Sequence, residues 1–221
     1  MNRVKILTIE HLTHDVLKIV TKKPASIQYQ PGQAVDIAIN KKNWKQERRS
    51  FTFTSLPEDK FLEFTVKTYP SHKGVTQQLL TLTKGDELFL HGVFGNIIYK
   101  GEGIFIAGGA GITPFIAILK QLEKEDKIGN NKLIFANKTR ADIILEKQFH
   151  NLLGDNFINV LSEEKIPYYE HGYISTDLIK KYSTEHSRYF YLCGPKPMMQ
   201  VLEQNLFHLG ISDSYIVKEE F

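Results

Sequence analysis

Three glycines, Gly108, Gly109 and Gly111, precede Thr113 and Pro114. Glycine lets a backbone turn sharply and come close to a ligand with no Cβ in the way. Thr113 suits a helix N-cap and Pro114 the first helical position, where a missing N–H costs nothing. The run Ile104–Ala107 ahead of them has the length and β-branching of a buried strand, and the stretch from Phe115 spaces its apolar residues as a helix does. Strand, glycine turn and helix start leave N–H groups and a positive dipole end facing one point. That is the chemistry of an anion site, most naturally a pyrophosphate. The spacing departs from G-x-G-x-x-G because Pro114 stands where the third glycine would be. Turns of this kind are also common without a ligand, so the rest of the chain has to decide the matter.

Other groups add to this one. Cys193-Gly194-Pro195 follows the strand-like run Tyr189–Leu192 and precedes a helix, which in a parallel sheet brings it to the same end as the glycine turn. With no histidine and carboxylate close in sequence, Cys193 is a poor covalent nucleophile and reads more simply as a small buried residue. In the first half, Arg48-Arg-Ser-Phe-Thr-Phe-Thr-Ser55 alternates Arg49, Phe51 and Phe53 on one strand face with Ser50, Thr52 and Thr54 on the other. It follows a basic loop, Lys41–Lys45. Ser71-His-Lys-Gly-Val-Thr76 is a second glycine-and-hydroxyl helix start, hence a second possible phosphate seat. Two anion sites, one in each half, would suit two nucleotides.

The elements that must hold these groups change character near Gly101. Before it, Val4–Ile9, Val16–Thr21, Gln33–Ile39, Ser50–Thr54, Phe61–Lys67 and Glu87–Leu90 are short β-branched or aromatic runs separated by turn residues. Their even spacing predicts a closed antiparallel barrel, interrupted by a short helix over Gly74–Leu82. After it, strands at 104–107, 132–136, 157–161, 188–192 and 214–218 alternate with helices from 114, near 142–153, near 176–181 and at 197–209. That alternation predicts a doubly wound parallel sheet. Two domains follow, residues 1–99 and 100–221.

Composition sets the outer limits. The 221 residues are 42% hydrophobic and 24% charged, which is ordinary globular material. A net charge of +3 is too small to suggest nucleic acid. The single cysteine excludes an internal disulfide framework and a cluster held by four cysteines of this chain. No apolar run approaches the ~20 residues of a membrane helix, and the N-terminus does not read as a signal peptide, so a soluble cytoplasmic protein is expected. No metal site is expected.

Taken together, Arg49-Ser-Phe-Thr52, Lys73-Gly-Val-Thr76, Gly108-Gly-Ala-Gly-Ile-Thr-Pro-Phe115 and Cys193-Gly-Pro195 resemble, in order and spacing, the ferredoxin–NADP reductase superfamily. The resemblance covers nearly the whole chain. It implies an FAD-binding antiparallel barrel followed by an NAD(P)-binding α/β domain. By the same resemblance Arg49 pairs with the flavin pyrophosphate, as a guanidinium fork can. Phe51 takes the place of a tyrosine stacked on the isoalloxazine, and Thr52 that of a serine whose hydroxyl lies near flavin N5. Ser50 and Lys67 join this flavin-side group. Gly74, Val75 and Thr76 match the helix start that seats the flavin phosphates. Gly109, Gly111 and Thr113 match the pyrophosphate turn for the dinucleotide, with Cys193, Gly194 and Pro195 beside the nicotinamide.

The ending Glu219-Glu-Phe221 is similar to the plant-type terminus, which implies Phe221 over the flavin face and Glu219 near Cys193. The co-substrate is NADH or NADPH. Lys138 and Arg140 follow the second strand of the α/β half, where cations for a 2′-phosphate often lie. Glu163 and Glu164 stand where relatives preferring NADP place an arginine, and Tyr173 likewise replaces a frequent arginine, so the balance favours NADH. The reaction implied is hydride transfer from NAD(P)H to FAD, with Thr52, Cys193 and Glu219 at the reacting centre. Electrons then pass to a separate carrier, an acidic flavodoxin or ferredoxin. A flavin reductase that releases its flavin and a non-catalytic nucleotide-binding redox sensor are the alternatives.

Overall fold

The computed structural model describes residues 1–219 as two compact units; Glu220 and Phe221, and with them the expected position of Phe221, lie outside the described residues. The first unit is Met1–Ile98 with Thr113–Gln121, and the second is Tyr99–Ile112 with Leu122 onward.

Six strands build the first unit: β1 (Asn2–Thr13), β2 (Val16–Lys22), β3 (Ala34–Ile39), β4 (Arg49–Thr52), β5 (Phe61–Lys67) and β6 (Glu87–Phe94). They run in the order β4-β3-β6-β1-β2-β5, every neighbouring pair antiparallel. A bridge between Phe53, one residue past β4, and Phe64 of β5 joins the two ends, so the sheet closes on itself. Closure removes the exposed edges that an open sheet would leave. Alternation fills the inside: Val4 and Ile6, Leu17 and Ile19, Val35, Ile37 and Ile39, Leu62, Phe64 and Val66, and Leu88 and Leu90 form one core. Phe53 sits in it fully buried, its ring stacked on Tyr29 at 4.0 Å and tilted against Phe64 at 5.4 Å. The short helix α1 (Val75–Leu79) adds Val75 and Leu79, and Trp44 packs on the same cluster from the β3–β4 loop.

The second unit holds β7 (Gly103–Gly108), β8 (Lys132–Asn137), β9 (Phe157–Leu161), β10 (Glu170–His171), β11 (Tyr189–Cys193) and β12 (Ile216–Lys218), all parallel, in the order β10-β9-β8-β7-β11-β12. The chain winds outward from β7 through β8 to β10, then returns to the other side of β7. Every residue of β7 is buried, as the apolar run required of a strand covered on both faces. One face carries Ile104, Ile106, Ile134, Ile158, Val160, Phe190 and Leu192 against Ile179 of α4 (Thr176–Tyr182) and Met199, Leu202 and Leu206 of α5 (Lys196–His208). On the other face Phe157 meets Phe149 of α3 (Glu146–Leu153), ring centroids 5.6 Å apart.

Three details depart from the sequence reading. Gly109–Ile112 form a 3-10 turn that runs straight into α2 (Thr113–Lys124), so the helical backbone begins a turn earlier than expected and Thr113 is not its cap. The helix expected near 142 starts at Glu146, because a 3-10 turn at Arg140–Asp142 with its own Thr139–Asp142 capping box comes first. β10 was not expected; two residues carry no readable period. Among the described residues, no helix is long and apolar enough to cross a membrane.

Because Phe53 closes the barrel and fills its centre, Phe53→Ala is expected to cost about 3–5 kcal/mol. The single tryptophan, Trp44, reports barrel unfolding by fluorescence in a urea titration. A midpoint unchanged from the wild type would refute this role for Phe53.

Candidate functional site

Within the first unit the strand from Arg49 to Thr54 passes from water to core in six residues. Arg49 and Ser50 are exposed, Phe51 and Thr52 half-buried, and Phe53 and Thr54 fully buried. The Arg49 guanidinium donates to the Arg48 carbonyl at 2.8 Å, and Ser50 Oγ donates to Asp36 Oδ1 at 2.7 Å. Phe51 packs its ring on the barrel core. The strand thus offers a guanidinium, an aromatic ring and a hydroxyl in sequence, at graded depth. Thr113 Oγ1 donates to Thr52 Oγ1 at 3.3 Å, so two residues 61 apart in sequence meet. That separation is long for a hydroxyl pair, and each oxygen keeps capacity for a further partner.

Gly74 caps α1 in extended backbone, and a Cβ there would meet only the His72 carbonyl at 3.6 Å, so crowding does not demand glycine. The Val75 side chain belongs to the barrel core, and Thr76 beside it is half-buried. Lys67 is engaged by Asp15, Nζ to Oδ2 2.8 Å.

In the second unit the connections after β7 and β11 leave side by side, since Cys193 is paired with Ala107. This is where the strand order reverses, the place where open α/β sheets take ligands. The glycines here do different jobs. A Cβ on Gly111 would lie 2.1 Å from the Cys193 carbonyl oxygen and 2.7 Å from the Gly194 nitrogen, so this glycine lets two backbones touch. Gly108 is likewise closed in by Met198 Sδ at 2.4 Å and Pro195. Gly109 is different: its φ is +51° and a Cβ would meet nothing within 4 Å. Its backbone is turned toward open space, as a phosphate-facing turn needs.

Cys193 lies level with the chain just past β12, because Leu192 pairs with Lys218. Burial, with the Glu219 carboxylate nearby, pushes the Cys193 thiol up to about 12. Burial also raises Glu219 above the usual carboxylate range. The pair predicted from sequence is therefore brought together, with a neutral thiol rather than a nucleophilic thiolate.

The cations at the ends of β8 and beyond are paired. Lys138 Nζ is 2.9 Å from Glu163 Oε1, and Arg140 Nε is 3.2 Å from Glu146 Oε1. Glu164 accepts the Arg140 backbone N–H at 2.7 Å. Each carboxylate partner holds its cation above its ordinary value. Sequence reasoning missed Glu63 and Lys120, an ion pair that also holds Thr54; a carboxylate inside Phe61-Leu-Glu-Phe-Thr-Val-Lys67 was the available signal. It also missed Asn137 and Asn159, buried in the second sheet with Nδ2 and Oδ1, respectively, lacking a partner among the described residues.

Comparison with known proteins agrees with this layout. An FAD-binding domain model matches residues 1–101, and an oxidoreductase NAD-binding domain model matches residues 105–204. The chain belongs to the ferredoxin–NADP reductase superfamily. Within that superfamily, the reductase component of propane 2-monooxygenase from Rhodococcus jostii (strain RHA1) is 28% identical over 238 residues, taking in 99% of this chain and 63% of that protein. NADH-cytochrome b5 reductase 2 from Homo sapiens is 27% identical, over 76% of this chain and 75% of that one. A ferredoxin NADP+ reductase from Neisseria gonorrhoeae, solved with bound FAD and NADP, shares the fold at a TM-score of 0.85 and 20% identity, covering 99% of this chain and 97% of that one. The chain spans 63% of the first of these relatives and 44% of a Mycosarcoma maydis NADH-cytochrome b5 reductase 2 that is 31% identical to it.

Two outcomes follow from the superfamily's switch-point turn as built here. Gly111→Ala is expected to destabilise the second unit more than Gly109→Ala, which carries only the left-handed backbone cost of about 1–2 kcal/mol; chemical denaturation followed by circular dichroism orders the two, and the reverse order would contradict the packing. Its raised pKa leaves little Cys193 thiolate at pH 8, so a disulfide reagent is expected to modify it far more slowly in the native protein than in denaturant. Equal rates would show that Cys193 is not enclosed.

Proposed function

We propose that this chain binds FAD in its first unit and NADH at the switch-point turn of its second, and that it works as an electron-transfer reductase. The observation that carries this reading is the turn itself, with Gly109 open and left-handed while Gly111 is locked against Cys193. FAD, when bound, supplies a hydride acceptor and can release electrons singly or in pairs. Arg49, with its exposed guanidinium, would hold the flavin pyrophosphate together with the N–H groups at Gly74 and Val75 and the Thr76 hydroxyl. Ser50 and Lys67 stand at the edge of that group. The Phe51 ring would stack on the flavin, and the Thr52 hydroxyl would offer a hydrogen bond at the accepting atom. Thr113 would hold Thr52 in place. Gly109 and Gly111 would let the backbone reach the dinucleotide pyrophosphate, while Cys193, Gly194 and Pro195 line the nicotinamide side. A neutral Cys193 suits a donor or packing group there, and Glu219 would lie beside it.

Preference for NADH is supported by the charge pairs. Lys138 faces Glu163, Arg140 faces Glu146, and Glu164 sits on the Arg140 backbone, so an added 2′-phosphate would meet carboxylates as well as cations. The acceptor we infer is a small acidic carrier such as a flavodoxin or ferredoxin. The exposed Lys42, Lys45 and Arg48 of the β3–β4 loop support it through charge complementarity. A cytoplasmic setting is in keeping with the single cysteine.

The test is anaerobic stopped-flow mixing of the FAD-loaded chain with each nucleotide, followed at ~450 nm where oxidised flavin absorbs. NADH is expected to bleach the flavin at least tenfold faster than NADPH at equal concentration. Replacing Glu163 with arginine and Glu164 with serine is expected to narrow that ratio. Failure of both nucleotides to bleach bound FAD would overturn the reductase reading, and faster bleaching by NADPH would overturn the NADH preference alone.

A further inference from the structure

Glu63 points a carboxylate into the barrel wall, where its residue is only 8% exposed. Its Oε1 accepts the Thr54 hydroxyl at 3.0 Å and Lys120 Nζ at 2.9 Å, while Lys18 Nζ stands 3.7 Å from Oε2. Lys120 also donates to the Thr54 carbonyl at 2.8 Å. The network continues inward: Ser55 Oγ accepts the Glu63 N–H at 3.0 Å and lies 2.9 Å from the Tyr29 hydroxyl. An apolar patch would hold the segment Thr113–Gln121 on the barrel without fixing where along the strand it sits. One ammonium shared between a carboxylate and a carbonyl fixes it.

The spacing connects this clamp to Thr52. Thr54 follows Thr52 by two residues, just past the end of β4, and Thr113 and Lys120 are seven apart on α2, so these two share one helix face. That helix face therefore meets the chain at the end of β4 at two points: ammonium on the Thr54 carbonyl at 2.8 Å and hydroxyl near the Thr52 hydroxyl at 3.3 Å. The hydroxyl contact is too long to set the register by itself. We propose that Glu63 and Lys120 are positioning residues that hold the Thr113 hydroxyl against Thr52 and so aim the Thr52 hydroxyl. Its consequence for hydride transfer rests on the reductase reading; the geometric part does not.

Removing Lys120 alone would leave a buried carboxylate with only the more distant Lys18 as a cation, a change that can by itself destabilise the barrel. The deciding variant is therefore the double change Glu63→Gln with Lys120→Met, made in the full chain beside Lys120→Arg. In flavin-free protein the γ-methyl resonances of Thr52 and Thr113, assigned by single substitutions, are expected to move in the double variant and to return toward wild type in Lys120→Arg. Trp44 fluorescence confirms that the barrel stays folded. After loading with FAD, the limiting rate of reduction by NADH is expected to fall at least tenfold while the apparent nucleotide Kd stays within twofold. Adding Thr52→Val to the double variant is expected to lower the rate little further. Unmoved threonine methyls in a folded double variant would overturn the proposal, as would a full multiplicative loss with Thr52→Val. Moved methyls in a chain whose wild type is not reduced by NADH would sustain the positioning role and refute the reductase reading instead.

Discussion

A parallel sheet wound outward both ways from one strand leaves two adjacent connections departing in opposite directions, and the second unit depends on how close they can come. Here the contact is backbone on backbone. Gly111 lies where any side chain would strike the Cys193 carbonyl, and Gly108 lies against Met198 and Pro195. Close contact at this point leaves Cys193 half-buried, and that burial, with Glu219 nearby, pushes its thiol up to about 12. Gly109, the next residue after Gly108, keeps open space where a Cβ would stand.

The elements that sequence could reveal are those whose burial repeats. Barrel strands such as β6 face core and exterior in turn, and β7 is covered on both sides, so alternation and a solid apolar run were each readable. What the sequence left equivocal was conformation within the glycine turn. Thr113 and Pro114 look like a cap and a first turn, yet the 3-10 residues Gly109–Ile112 already supply that turn, which frees the Thr113 hydroxyl for Thr52. Nor could spacing separate Gly109 from Gly111. One answers to a positive φ and the other to a neighbour more than eighty residues away, and only the second depends on tertiary contact.

Long-range polar pairs were the least legible feature. Glu63 and Lys120 are 57 residues apart, and each sits in a run whose apolar neighbours dominate any pattern. A charge in such a run is still a clue, because it must be neutralised, left in water or left to destabilise the fold. Glu63 takes the first course, and the fully buried Thr54 donates its hydroxyl to the same carboxylate. The strand bearing Arg49, Phe51 and Thr52 is thereby fixed at its buried end while its charged end stays in water, so rigidity and access come from opposite ends of six residues.

The paired cations raise a different question, which is what pairing implies for a ligand phosphate. Lys138 and Glu163 are both well exposed, with side chains 71% and 56% accessible, and exposed pairs of this kind contribute little to stability. A phosphate could therefore take Lys138 from Glu163 at small cost. It could not remove the carboxylate. Once displaced, Glu163 would stand unpaired beside two negative charges, with Glu164 fastened close by on the Arg140 N–H. On the proposed reading, discrimination at this corner depends less on whether cations are present than on what their present partners become when released. For that reason cations read from sequence alone could not decide between the two dinucleotides, whereas the carboxylates that hold them argue for the uncharged ribose.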